Sequence, residues 1–310
     1  NASKGSDSVF STITSEGGGL GTGEAGGNGG DGGSGGGTGQ TNGSGGTAST
    51  YDTKPTNIQL GSRFEETDTR KMYHYKSSVT FEDDFSGINT WTPDGTDVAV
   101  NTSTDVIDWD SDQSSGGQDQ LYKDLTTVSD TSWVVDFDIT FTTVGASGSS
   151  AYGIYLLVVL DSITADANTV GHDALGIAYE VDNTPTNQAS IEAFSCDNLN
   201  LYDSMEMNTP TGTISIFTET AQASETQYIR MIRDGTTFTV EIYSNSTRTT
   251  LVESEEVDAN DGGTVSGLRY LKIMTSRDNT GDHEFVGTID NVKFYNGVTS
   301  TDNVWSEEGT

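Results

Sequence analysis

From residue 77 onward, apolar side chains recur at every second position and almost nowhere at helical spacing, which confines this part of the chain to β-structure. In "WVVDFDITF" (133–141), Val135, Phe137, Ile139 and Phe141 share one parity while Asp136 and Asp138 take the other. That is the pattern of a strand with one face on a core and one face in water. In "YIRMIRDGTTFTVEIY", Asp234 and Gly235 divide two alternating runs, a strong hairpin signal. Further strands are expected at "YGIYLLVVL" (152–160), "ALGIAYEV" (174–181), "ASIEAFS" (189–195), "TISIFTE" (213–219), "LRYLKIMTS" (268–276) and "FVGTIDNVKFYNG" (285–297). Many strands at this spacing, with no alternating helices, imply an all-β antiparallel sandwich or jelly roll.

The region ahead of it is built on another principle. Residues 17–46 hold 18 glycines in 30 positions, so this stretch cannot make a core, and ordering its backbone costs more entropy than ordering any other residue type. Residues 1–50 are expected to form an extended arm with one short strand, "SVFSTITS" (8–15), which needs a partner edge. Residues 51–76 are expected to be a connector with a short strand near Ile58–Leu60 and the densest basic cluster, Arg63, Arg70, Lys71 and Lys76, docked in part on an acidic body. The sandwich is assigned to 77–300 and a C-terminal tail to 301–310. An arm of this kind is held by a partner chain, through strand addition or glycine-rich packing, so self-association through residues 1–50 is expected.

Charge narrows the partners. Lys and Arg number 14 against 47 Asp and Glu, a formal charge of −33, and almost all of it lies beyond the arm. Such a field repels phosphate backbones and anionic lipid, which argues against nucleic acid and a membrane surface. The longest apolar run, "IYLLVVL" (154–160), is far short of the ~20 residues that span a bilayer, so no membrane insertion is expected. Cys196 is the only cysteine, which excludes an intrachain disulfide and thiol-rich metal sites and reads as a buried thiol.

Cations are the natural counterparts of this charge. "DWDSDQSSGGQD" places Asp108, Asp110, Asp112 and Asp119 at positions 1, 3, 5 and 12 of a calcium-loop spacing. Gln113 stands where such a loop has its turn glycine, Asp119 where it has a bidentate glutamate, and no helices flank it; the competing reading is a solvated acidic loop. Enzyme signatures are missing. No E-x-D-x-x-E strand occurs, "VESEEVD" (252–258) lacks the spacing and reads as an edge strand, and His74, His172 and His283 lie far apart with no H-E-x-x-H. The chain is therefore read as not an enzyme. A sugar site needs exposed aromatics beside Asp or Asn. Among Trp91, Trp109, Trp133 and Trp305, Trp109 in the acidic loop, with Asn101 or Asp110, is the expected glycan contact.

The stretch from "VTFEDDFSGINTW" to "FVGTIDNVKFYNGV" resembles the concanavalin A-like, laminin-G-like jelly-roll superfamily, through its D-D-F opening, its R-x-x-R/D-G-x-x-x-x-V hairpin and its closing I-D-N-V-x-F-Y strand. The resemblance spans roughly residues 77–300. It implies that the first and last sandwich strands are neighbours and that Glu82, Asp83, Asp84 and Asp290 share a structural calcium. The N-terminal "SVFSTITSEGGG" and "GSRFEETDTRKMYHY" are similar to segments of structural and fibre proteins of marine tailed viruses and of surface proteins of marine microbes. Together the two resemblances imply an extracellular, non-enzymatic subunit of a filament, fibre or virion surface that displays a lectin-like body. The alternative is a carbohydrate-binding module that engages surface glycans, and behind it a divergent glycosidase.

Overall fold

The computed structural model describes residues 8–10, 13–15, 54, 58–66, 69–86, 90–94, 98–110, 120–147, 153–163, 172–181, 188–196, 212–260, 264–275 and 282–308. These form strands and turns, with no helix among the described residues. The chain divides into a unit of residues 1–77 with 302–310 and a larger unit of residues 78–301. Strands are numbered in chain order.

The larger unit is the expected antiparallel jelly-roll sandwich. One sheet runs β17 (Leu251–Asp258), β16 (Thr237–Tyr243), β15 (Glu225–Asp234), β10 (Ser132–Ser147), β19 (Asp282–Asn296), β8 (Val106–Asp110) and β7 (Val98–Asn101), with β5 (Phe81–Asp83) added to β19. The other runs β14 (Gly212–Gln222), β13 (Gln188–Cys196), β12 (Ala174–Val181), β11 (Gly153–Leu160), β18 (Tyr270–Thr275), β9 (Gln120–Asp124) and β6 (Thr92–Asp94). Pro93, which cannot donate to a ladder, sits on the edge strand β6. The inward rows of both sheets make one core. β10 contributes Trp133, Val135, Phe137, Ile139 and Phe141, and β11 and β12 contribute Leu157, Val159, Leu175, Ile177 and Tyr179. Phe141 and Tyr179 meet edge to face across the sheets, ring centroids 5.1 Å apart.

One sequence expectation fails in this core sheet. The outward face of β10 is not wet: Asp136 and Asp138 are buried, 4% and 9% exposed, because arginines from two other segments fold onto them. The closing "IDNV" also gains a physical reason. Opposite Phe137 the register of β19 skips, leaving Asn291 in a bulge with φ of 53°, a left-handed conformation that asparagine tolerates better than most residues.

A second bulge closes the sandwich along one side. On β14 the register with β13 jumps from Thr220 to Ile216, and the N–H groups of Thr218 and Glu219 turn out of the ladder. The carboxylate of Glu253, on the edge strand of the other sheet, accepts both, at 2.9 and 2.7 Å, and accepts the Thr218 hydroxyl at 2.8 Å. Desolvation alone would raise the Glu253 pKa; these hydrogen bonds outweigh it and hold the value below the ordinary glutamate range. A carboxyl so depressed stabilises the fold above its unfolded pKa of about 4.3, and the contribution is lost as pH falls through the folded value. Glu253→Gln is therefore expected to cost about 1 kcal/mol near neutrality, the exposed site being screened, and less at about pH 3. Urea midpoints at the two pH values check this.

The described residues of the smaller unit form two sheets. Residues 8–15, expected as one strand, are two: β1 (Ser8–Phe10) and β2 (Ile13–Ser15) pair with each other, Val9 opposite Thr14. The segment meets its need for an edge within itself. The connector's strands are β3 (Arg63–Glu65) and β4 (Met72–Lys76), with none at 58–60. The C-terminal segment supplies β20 (Val304–Glu307), giving the order β20-β4-β3. Phe64, Tyr73, Tyr75 and Trp305 pack together on this sheet at centroid distances of 5.3–6.4 Å. The basic cluster finds carboxylates in the same unit: Arg63 pairs with Glu308, Lys71 with Glu307 and Arg70 with Glu65.

Candidate functional site

Two sheet faces turned away from the core carry polar side chains. On the eight-stranded sheet the Arg230 guanidinium donates from Nε and Nη2 to both Asp136 oxygens, at 2.8 and 2.9 Å, and from Nη2 to the Thr301 hydroxyl at 3.1 Å. Arg248, in the β16–β17 loop, donates from Nη2 to Asp138 at 2.7 Å and to the Phe137 carbonyl at 2.8 Å, and from Nε to the Ile229 carbonyl. Asn291 donates its amide to Asp138 at 2.9 Å and to Asp290 at 3.2 Å, bridging two carboxylates that stand directly opposite on adjacent strands. Burial raises the Asp138 pKa in spite of Arg248, and burial raises Asp290 with Asp138, Asp84 and Asp105 adding to it. Every charge at the centre of this cluster is spent on a neighbour, so its chemistry is that of a lock on the sheet face.

The carboxylates expected to share calcium fall beside this cluster. β5 and β19 are indeed neighbours, with Glu82 opposite Lys293 and Asp83 opposite Val292. Each carboxylate, however, is met by a protein donor. Glu82 pairs with Lys293 at 2.7 Å; Asp83 accepts from the Phe85 N–H at 2.8 Å and the Trp91 indole at 3.1 Å; Asp84 accepts from Ser86. Among the described residues no group of three or more His, Cys, Asp or Glu side chains is arranged to hold a metal ion. Lys293 neutralises Glu82 and the Trp91 indole donates to Asp83, so these carboxylates are engaged by protein groups.

The acidic loop divides differently from its expected form. Asp108 and Asp110 lie in β8, paired with β19 opposite Thr288 and Val286, because Val106, Ile107 and Trp109 are strand formers and Ile107 enters the core. Residues in an extended strand cannot curl around an ion as successive loop ligands do. Asp112 and Asp119 lie outside the described residues. Asn101 donates to Asp108 at 2.6 Å and accepts from the Ser103 N–H and hydroxyl, so both ends of its amide are engaged. Trp109 is placed by its backbone in β8, opposite Gly287 and Val98.

The seven-stranded sheet offers a different face. Leu121, Leu271 and Ile273 point into the core, so Tyr122, Asp124, Tyr270 and Lys272 take the opposite side, Tyr270 opposite Asp124 and Lys272 opposite Tyr122. The two tyrosines are half-buried, with rings edge to face at 6.1 Å. Arg269 grips Asp124 with two hydrogen bonds, 2.9 and 2.7 Å, and lies 5.2 Å from the Tyr270 ring centre. Those bonds from Arg269 pull the Asp124 pKa below the ordinary aspartate range. Deeper on the same face Lys272 is fully buried and donates to the Ile163 carbonyl at 2.9 Å. Val158, Gly176, Ala178, Glu192 and Phe194 continue the face across β11, β12 and β13. The face thus passes from the half-buried tyrosines and the exposed Asp124–Arg269 pair to a buried floor of small side chains at β12.

None of these residues is among the sequence candidates. "LRYLKIMTS" carries the signal, since Leu271 and Ile273 facing inward put Tyr270 and Lys272 outward; "QLYKD" is too short to be read as a strand from its own pattern. Only their register brings Tyr122 and Tyr270 together.

No protein-family model matches the chain, and no curated protein sequence does. Solved structures with a similar backbone include the carbohydrate recognition domain of Emp47p, at 17% identity and a TM-score of 0.46, covering 72% of this chain and 97% of that one. The exoplasmic/lumenal domain of VIP36, in a form with Ca2+ and Man3GlcNAc bound, is 9% identical with a TM-score of 0.44, covering 73% and 92%. A putative beta-glucanase from Mycobacterium abscessus is 9% identical, with a TM-score of 0.44, covering 70% and 100%. What they share with this chain is a layout of strands; the sugar and the calcium belong to VIP36.

Proposed function

We propose that the sandwich is a non-catalytic carbohydrate-binding module that takes a glycan on the outward face of β9 and β18. The observation that carries this reading is the pair of half-buried rings, Tyr122 and Tyr270, beside the planar Asp124–Arg269 pair. Tyrosine rings present an apolar face to the C–H face of a pyranose at low entropic cost. A carboxylate and a guanidinium held in one plane offer an acceptor and donors to neighbouring hydroxyls.

Binding without cleavage follows from Asp124. A general acid must hold its proton near neutrality, and the hydrogen bonds from Arg269 keep this carboxyl ionised. A retaining glycosidase also needs a second carboxyl about 5 Å away. The corresponding location is outside the cell, where glycans are displayed.

The full chain is expected to bind at least one class of glycan on an array, and Tyr122→Ala and Tyr270→Ala are each expected to weaken it about tenfold, with folding unchanged. The bound oligosaccharide is expected to stay intact after prolonged incubation. Glycan binding that survives both substitutions would place the site elsewhere, and an array with no binding would end the reading.

A second role, assembly, rests on the glycine-rich stretch of residues 17–46 and so on residues outside those described. Light scattering of the full chain and of a chain lacking residues 1–50 tests it: a mass that falls to that of a monomer on truncation supports self-association through the arm, and equal subunit numbers reject it.

A further inference from the structure

Arg233 is an arginine in an apolar core. It continues the inward row of β15 after Gln227, Ile229 and Met231 and is 2% exposed. Its Nη2 donates to the Val265 carbonyl at 2.8 Å and to Asn260 at 3.5 Å, and its Nε to the Gly235 carbonyl at 3.4 Å, whereas its Nη1 has no partner. Directly opposite, on β10, stands Trp133, fully buried, with its indole Nε1 also without a partner.

The two donors belong to residues paired directly across adjacent strands. Phe238 faces Arg233 from the other flank, on β16, and the rings of Trp133 and Phe238 are 5.8 Å apart. Strands two places apart in a sheet are separated by roughly 9.5 Å, so these rings lean toward each other across Arg233. An unsatisfied buried N–H costs about 1–3 kcal/mol, and folded proteins seldom carry two on paired residues without an acceptor.

We propose that Arg233 Nη1 and Trp133 Nε1 hold one buried water molecule between the two sheets at this end of the sandwich. Either a halide or a water can accept two N–H groups; the surrounding charge selects the water. Burial lowers the Arg233 pKa, and the charges acting against that are Asp130 and Asp173. Both carboxylates are anchored here, Asp130 by the Gly267 N–H and Asp173 by the Ser266 N–H, each at 2.8 Å. Two negative charges against one positive leave no excess to hold an anion, while a water has two protons left to donate. The site lies under the 264–269 segment, whose Val265 carbonyl Arg233 already holds. It does not depend on the glycan reading.

The test is a high-resolution crystal structure of the full chain from a bromide-containing solution. The expected result is an ordered atom within hydrogen-bonding distance of both nitrogens, with no anomalous bromide signal. A bromide peak at that position, or no ordered atom there, overturns the proposal. Trp133→Phe keeps the ring and removes one donor, and is expected to abolish or sharply reduce the density of that atom; unchanged density in the variant overturns the part assigned to Trp133. Should the variant fail to fold, the wild-type crystal alone decides.

Discussion

Arg248→Met is expected to destabilise the sandwich by about 3–5 kcal/mol near neutral pH, the usual consequence of stripping one partner from a buried ion pair. The side chains of Arg248, Asp138 and Asp136 are 9%, 11% and 5% exposed, so water does not replace the lost guanidinium. The substitution also removes the donors to the Phe137 and Ile229 carbonyls. The charge and hydrogen-bond parts separate by pH. Burial already holds the Asp138 pKa above its ordinary value with Arg248 in place. A raised carboxyl contributes stability that is fully present below its unfolded pKa, about 3.9, and lost as pH rises through the folded value. Losing Arg248 raises that folded value further, so the variant's deficit should grow from about pH 4 to about pH 7. Urea midpoints across this range, read by tryptophan fluorescence, supply the test. A deficit that stays flat with pH would assign the loss to the carbonyl hydrogen bonds instead.

Gly176→Ala is expected to cost about 3 kcal/mol, the upper part of the range for overpacking. A Cβ at Gly176 would stand 2.5 Å from the Leu157 carbonyl oxygen and 3.1 Å from a ring carbon of Phe194. The oxygen is backbone of β11, a strand paired with β12 on one side and β18 on the other, and cannot yield without opening a ladder. Gly297→Ala is the contrast. There φ is 74° but the space is open, so backbone strain alone remains, about 1–2 kcal/mol. Thermal unfolding of the two variants should rank them in that order, and equal losses would mean that β11 moves freely to admit the methyl.

Much of the fold was legible because alternation is a local signal. The period-two runs at 133–141, 152–160 and 174–181 correspond to one strand each, and 226–244 to β15 and β16 with Asp234–Gly235 at the turn between them. The strands at 98–101, 106–110 and 120–124 were not legible, since four or five residues give too few periods to separate a strand from a loop. That is why Asp108 and Asp110 read as loop ligands in the sequence, although they lie in β8 beside the core residue Ile107. The candidate site was hidden for the same reason, half of it resting on β9.

The sequence by itself determined the class: an all-β antiparallel sandwich, one buried thiol at Cys196, and an acidic body behind a glycine-rich stretch. These follow from composition and period, which act residue by residue. Only the tertiary structure decided which polar groups meet. Asp136 reads as solvated because its neighbours in sequence are apolar core residues, yet it is buried against Arg230, 94 positions away. Tyr122 and Tyr270 are separated by most of the sandwich in sequence and become neighbours because β9 and β18 pair. Charge pairing and ring contacts act over a few ångströms, and which residues fall within that reach is set by strand order and register.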